Sequence, residues 1–317
     1  MTRQQLRNAF RSAAMPALIA AGTVLAAPAA SAGEVVKGRP TVGDIVKASK
    51  PADWRALDPE NTLYIDIPTG RVVVELAPAF APGHVDNVRT LVREGWFDGQ
   101  AFIRSQDNYV AQLGDPTEKK EPVKGKATGR AEFDVKLDKS VPFTKLPDGD
   151  IYAPEVGISN GFPSARDPKT QRMWLTHCYG MVGAARGNDP DSGGGAQIYF
   201  VNGHAPRHLD RNVTVFGRVV KGMELLTTLP RGTGPLGFYE KPEQNLPIKA
   251  VRMAADLPEA ERVQLEVMRT DSPTYRAVID AMRHRGGDWF RYSPDKVELC
   301  NMPIPVRPRP DPAAPKS

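Results

Sequence analysis

The stretch FIRSQDNYVAQLGD, Phe102 to Asp115, is two short apolar runs joined by a polar turn. Ser105, Asp107 and Asn108 supply turn chemistry, and the flanking residues favour extended backbone, so the spacing predicts a strand pair. Each run gives one position to a polar side chain, Arg104 in the first and Gln112 in the second. An apolar residue would pack better at either place, and an arginine in a strand is ordinarily only a surface charge. What the two residues do depends on the chain around them.

Upstream, the β-rich runs 62–67 and 70–76 are separated by Pro68 and Thr69, a hairpin signal. Residues 81–95 follow with Val85, Val88, Leu91 and Val92 at helical spacing and Gly95 as a stop. Downstream, a polar stretch of about 117–150 precedes further short strands at 179–185, 196–201, 213–219 and 248–253. Many short strands with one or two helices predict an antiparallel barrel or sandwich.

Outside this region the pattern changes. Residues 33–60 form a lead-in with one short helix expected between Thr41 and Ser49. The extension 256–317 carries one helix, opened by Ser272 and Pro273 and faced by Tyr275, Val278, Ile279 and Met282, and ends in a proline-rich tail. At the N-terminus, Arg3, Arg7 and Arg11 precede an apolar stretch at 17–27 and a small-residue site at Ala30-Ser31-Ala32, the pattern of a secretory signal peptide cleaved after Ala32. A periplasmic or secreted product is expected, and no later run approaches the roughly 18 apolar residues of a membrane span.

Forty per cent hydrophobic and 25% charged residues suit a globular core. Without the three signal arginines the formal charge falls from +5 to +2, which removes the electrostatic case for nucleic acid. The two cysteines, Cys178 and Cys300, have an oxidising compartment available; one long-range disulfide or two separately buried thiols both fit the sequence.

The run from Ala81 to Pro116 resembles the cyclophilin pattern of helix, Phe-His-Arg strand and Gln-Gly-Gly-Asp-Pro. "GMVGAARGNDPDSGGGAQIYFVNG" (180–203) and "HLDRNVTVFGRVVKGMELLTTL" (208–229) are similar to two later motifs of that family, in order. The resemblance spans about 61–255, with 117–150 as a loop insertion. It implies a closed eight-stranded antiparallel barrel with two capping helices, and isomerisation of the bond before proline without cofactor or metal. Arg104 and Gln112 match the family's catalytic pair. Phe102, packed behind the arginine, and Tyr109, Val110, Tyr199 and Leu209, which resemble the proline pocket, match substrate-binding positions of the family together with His208 and with Ala185 and Gln197, which line the groove for flanking backbone. The implied partners are proline-containing segments of unfolded or folding exported proteins. A cyclophilin-like binding module or chaperone with little turnover is the alternative.

Several positions depart from the family pattern: Ile103 replaces a histidine, Val213 a histidine or tyrosine, Leu113 replaces glycine, and His208 stands where cyclosporin-sensitive members have tryptophan. Other chemistries are weaker. Gly157-x-Ser159-x-Gly161 fits a hydrolase elbow, but Pro163 and Pro168 prevent the helix that motif requires. Asn188 to Gly193 lacks the late glutamate of a calcium loop and reads as a turn. The five histidines show no zinc spacing.

Overall fold

Arg104 stands directly across from Gln112 because the strand that carries it is bulged. In the antiparallel pair Ala101–Ser105 and Val110–Gly114, Phe102 faces Leu113 and Arg104 faces Gln112, so Ile103 is the extra residue. In an unbroken strand Phe102 and Arg104 would share a face, since side chains repeat every two residues. The bulge sends Phe102 into the interior with Leu113 and leaves Arg104 outside beside Gln112.

The computed structural model describes residues 38–310. The expected signal peptide, the first residues of the lead-in and the last residues of the proline-rich tail lie outside the described residues. The central element is a curled antiparallel sheet. Its order is Leu246–Pro247, Ala101–Ser105, Val110–Gly114, Ile198–Val201, Met181–Ala184, Val215–Lys221, Gly70–Leu76, Thr62–Ile67 and Ala250–Met253. This corrects the expectation of a closed eight-stranded barrel: the ladder has nine strands and an open order. The reason lies at 246–253, where one stretch supplies both edge strands. Pro247 has no N–H to donate, and Ile248 and Lys249 donate instead to Gln100 and Asp66 of the two opposite edges.

The inner face of the sheet buries Leu63, Ile65, Phe102, Leu113, Phe200 and Phe216 against Val85, Val88, Leu91 and Val92 of helix Pro82–Arg93. The second capping helix is a short one, Met223–Thr227, and Pro230 stands just beyond it. The outer face carries a second core. Val110, Tyr199, Val201 and Val215 pack there with Trp54, Trp174, Met268 and the C-terminal helix Pro273–Arg283. Ser272 caps that helix by accepting from the Tyr275 N–H.

The polar stretch 117–150 holds two short strands, Val135–Lys136 and Thr144–Lys145, which join Glu155–Ser159, Phe162–Asp167 and Arg172–Leu175 in a separate five-stranded sheet. A third sheet pairs Trp54–Ala56 with Leu265–Met268 and Val306–Pro308. Cys178 and Cys300 are bonded, with Cα atoms 5.0 Å apart, which ties the C-terminal extension to the chain just before the interior strand Met181–Ala184 of the central sheet. Among the described residues, no helix is long and apolar enough to cross a membrane.

Candidate active site

A row of side chains crosses the outer face of the sheet. Arg104 pairs with Gln112, Gln112 with Tyr199, Tyr199 with Gly183 and Gly183 with Val215 on successive strands. Gly183 is required in this row, because a Cβ there would fall 2.4 Å from the Tyr199 ring carbon bearing the hydroxyl. The tyrosine ring lies over the glycine and reaches beyond it.

The Arg104 guanidinium is held by three neutral oxygens. Its Nε donates to the Leu236 carbonyl at 2.7 Å, one terminal nitrogen donates to Gln112 Oε1 at 3.1 Å, and the other donates to Gln106 Oε1. The Phe238 ring lies 5.2 Å from the guanidinium carbon and Tyr109 lies 5.9 Å away. Burial at the cleft wall pushes its pKa down, against the opposing influence of Tyr109. A guanidinium stays charged nonetheless. No carboxylate pairs with it among the described residues, so the cation is oriented without being neutralised. Gln112 is itself fixed, since its Nε2 donates to Gln197 Oε1 at 2.9 Å.

Beside this donor lies a cleft of about 1030 Å³, with Tyr109, Val110, Tyr199, Leu209 and Val213 as an apolar slot and Ala185 and Gln197 along its wall. Tyr109 follows Asn108, which takes a left-handed conformation (φ 50°) and accepts from the His204 N–H at 2.7 Å. Gly203 packs so closely there that a Cβ would come within 2.2 Å of the Asn108 carbonyl carbon. The turn that presents Tyr109 is thereby locked.

The Tyr199 hydroxyl lies 2.8 Å from Nε2 of the fully buried His177, whose Nδ1 lies 2.9 Å from Asp210. A carboxylate oxygen accepts, so a proton on Nδ1 satisfies Asp210 and leaves Nε2 to accept from the tyrosine hydroxyl. Burial pushes the Tyr199 pKa up, helped by Tyr109 and Asp210, which keeps that hydroxyl a donor. Asp210 in turn accepts from Arg207 at 2.5 Å, and Arg207 makes a two-fold contact with Asp150 at 3.0 Å and 3.0 Å. A buried polar chain thus runs from the slot to the inserted segment.

The structure brings eight of the ten expected site residues to one cleft: Arg104, Gln112, Tyr109, Val110, Ala185, Gln197, Tyr199 and Leu209. Two expectations need correction. Phe102 is not in the groove; the bulge turns it inward, where its ring lies 5.7 Å from Phe200. His208 does not line the cleft either. The tight turn Arg207–Leu209 points Arg207 inward and Leu209 into the slot, leaving His208 exposed with its ring parallel to Tyr109 at 6.5 Å.

Gln106, Leu236 and Phe238 also line the cleft and were not foreseen. The signal for the last two is the glycine-rich run Gly232 to Gly237, far from Arg104 in sequence. The Gly157-x-Ser159-x-Gly161 motif is a hairpin turn: Asn160 and Gly161 both have positive φ, 49° and 85°, and Ser159 Oγ is hydrogen-bonded to Ser164. Asn-Gly between two short runs was the overlooked hairpin sign. In the 188–193 segment Asp189 accepts from the Asp191 N–H, which closes a turn.

A fixed donor beside an apolar slot, on the outer face of a curled antiparallel sheet, is the arrangement that the resemblance to the cyclophilins implies. A family model described as cyclophilin type peptidyl-prolyl cis-trans isomerase/CLD matches residues 62–253. The probable peptidyl-prolyl cis-trans isomerase of Brucella suis biovar 1 (strain 1330) is 29% identical over 178 residues, covering 56% of this chain and 76% of that protein. Peptidyl-prolyl cis-trans isomerase B of Bacillus subtilis (strain 168) is 26% identical over 162 residues, covering 51% and 85%. The solved structure of cyclophilin AquaCyp293 from Hirschia baltica is similar with a TM-score of 0.66 and 30% identity, covering 86% of this chain and 99% of that one. The chain belongs to the cyclophilin-type peptidyl-prolyl cis-trans isomerase family and is an isomerase of that type. The likeness to the Hirschia protein extends beyond residues 62–253 into the added segments.

Proposed function

We propose that Arg104 and Gln112 carry the catalysis, and that the substrates are Xaa-Pro bonds of exported proteins. Rotation about an amide bond faces a barrier of about 18–20 kcal/mol because the nitrogen lone pair is delocalised into the carbonyl. No covalent step is needed; the enzyme has only to bind the twisted, deconjugated bond better than either planar isomer. As the bond twists, the lone pair returns to nitrogen, and the Arg104 guanidinium donates to it or to the adjacent carbonyl oxygen.

The observation that carries this reading is the guanidinium held by Leu236, Gln112 and Gln106 without a carboxylate. Three of its five N–H donors are used, and the remaining two have no partner among the described residues. Tyr109, Val110, Tyr199 and Leu209 bury the proline ring, while Ala185 and Gln197 flank the substrate backbone. The 246–253 stretch, shared by both sheet edges, supports closure of the sheet into a barrel beneath the site. Export is supported by the basic and apolar pattern of residues 3–32 and by the Cys178–Cys300 bond, which suits an oxidising compartment.

Exchange between cis and trans Ala-Pro peptide, followed by NMR with Gln112→Leu, tests the division of labour. The turnover-to-Michaelis ratio is expected to fall about 10-fold through misplacement of Arg104. Full activity in Gln112→Leu would remove the glutamine from the mechanism.

A further inference from the structure

Leu236 has three properties that do not fit a core residue. The residue is 67% exposed, it belongs to none of the buried apolar clusters, and it lines the cleft. Its backbone sits at φ 57°, in the left-handed region that favours glycine over any branched side chain. A leucine held there exposes an apolar group to water without burying it against the fold. Strained positions of this kind persist where the surroundings impose them, and they gather at ligand sites.

The surroundings do impose it. Gly232 N–H donates to the Ser105 carbonyl at 2.9 Å and Tyr239 N–H to the Ile103 carbonyl at 3.0 Å, so the loop 232–239 is fastened along the part of the arginine strand that Leu246–Pro247 leaves unpaired. Gly234 N–H bonds across the loop to the Phe238 carbonyl at 3.0 Å. Gly237 presses on Gln106 so tightly that a Cβ would come within 2.5 Å of the Gln106 Cα. This frame aims the Leu236 carbonyl at Arg104 Nε and leaves the side chain at the cleft mouth.

The geometry points to Leu236, with the Phe238 ring beside it, as a specificity-determining contact that selects an apolar side chain on one flank of the substrate proline. The inference rests on the proposed placement of the imide bond beside Arg104. Arg104 faces Gln112 with one nitrogen and Leu236 with another, so these two partners lie on different sides of the guanidinium. With the proline ring in the slot and one flank of the peptide along Gln197 and Ala185, the other flank leaves past Leu236 and Phe238. Their apolar surface rewards a leucine or phenylalanine side chain there and gives a glycine nothing.

The test is a series of proline peptides in which the residue before and the residue after proline are varied separately among Gly, Ala, Leu and Phe, with full-length wild type and Leu236→Gly. Wild type is expected to favour Leu or Phe over Gly at one flank by about 5–20-fold in kcat/KM, carried mainly by KM. In Leu236→Gly that preference is expected to shrink to about twofold. Melting temperature should hold or rise, because glycine accepts the left-handed backbone. Leu236→Asn, which also tolerates that backbone, serves as the second variant. A preference that survives in both variants overturns the inference, as does a wild type indifferent at both flanks. Because the preference is a ratio within one variant, an error in the role of Arg104 would alter the rates and leave the ratio standing.

Discussion

Replacing Cys300 with alanine removes a crosslink that spans 122 residues of sequence. The closed segment holds five strands of the central sheet and the C-terminal helix, so the bond restricts a large part of the unfolded chain. The chain-entropy relation gives about 5 kcal/mol for a loop of this length. The folded state is expected to survive, because Leu299 and Met302 on either side of Cys300 remain buried in the outer core. With roughly 270 described residues, an unfolding entropy of about 2 cal/mol/K per residue converts that loss into a fall of about 9 °C in melting temperature. Scanning calorimetry of wild type, reduced wild type and Cys300→Ala measures it. Isomerase rate at 25 °C should stay within about twofold, since His177 keeps its bonds to Asp210 and Tyr199 without the crosslink. Two free thiols per chain in unfolded, unreduced protein, or equal melting temperatures for all three samples, would refute the reasoning.

Other consequences are open to direct measurement. Tyr199→Phe leaves the buried His177 Nε2 without its donor, and denaturant unfolding should show a loss of about 1–3 kcal/mol. An unchanged midpoint would mean that the tyrosine hydroxyl holds nothing. Glu75 lies 2.5 Å from Arg55 and 3.3 Å from the buried Arg218; Glu75→Leu strands Arg218 and should cost about 3–5 kcal/mol by the same assay. Burial pushes the Glu132, Asp115 and Asp148 carboxyls up, but hydrogen bonds outweigh it and hold all three below the ordinary range. The donors are His84 and Gly83 for Glu132, Lys120 and Thr117 for Asp115, and Arg283 and Val297 for Asp148. Their stabilising contribution is complete above the unfolded-state values near pH 4 and disappears as pH falls through the folded ones. Urea midpoints between pH 7 and pH 2.5 should therefore drop on the acid side, and a rise there would contradict the assignment.

Much of the site was legible because its elements are local. Two short apolar runs flanking a polar turn marked the strands of Arg104 and Gln112, helical spacing marked Val85 to Val92, and Ser272-Pro273 marked the C-terminal helix. The bulge at Ile103 was not legible, since it depends on the register of two strands, and so Phe102 was assigned to the groove although it faces the interior. Leu236 and Phe238 were missed for a related reason: only tertiary packing brings a loop 132 residues away onto Arg104. The inserted sheet was hidden by its short polar strands, whose pairing comes from partners as far off as Arg172 and not from their own periodicity.

The most direct test of the central claim is Arg104→Ala, with cis-trans exchange and peptide affinity measured on the same samples. The fixed guanidinium is proposed to act on the twisted bond, so kcat/KM should fall by about 10²-fold or more, about 2.7 kcal/mol of transition-state stabilisation. Affinity should change far less, because Tyr109, Val110, Tyr199 and Leu209 still form the slot. Arg104→Lys should restore little, since an ammonium has three donors and no planar fork, and bonds to the Leu236, Gln112 and Gln106 oxygens would leave none for the substrate. Exchange that stays intact while affinity collapses would contradict the account and make Arg104 a grip on the ground state.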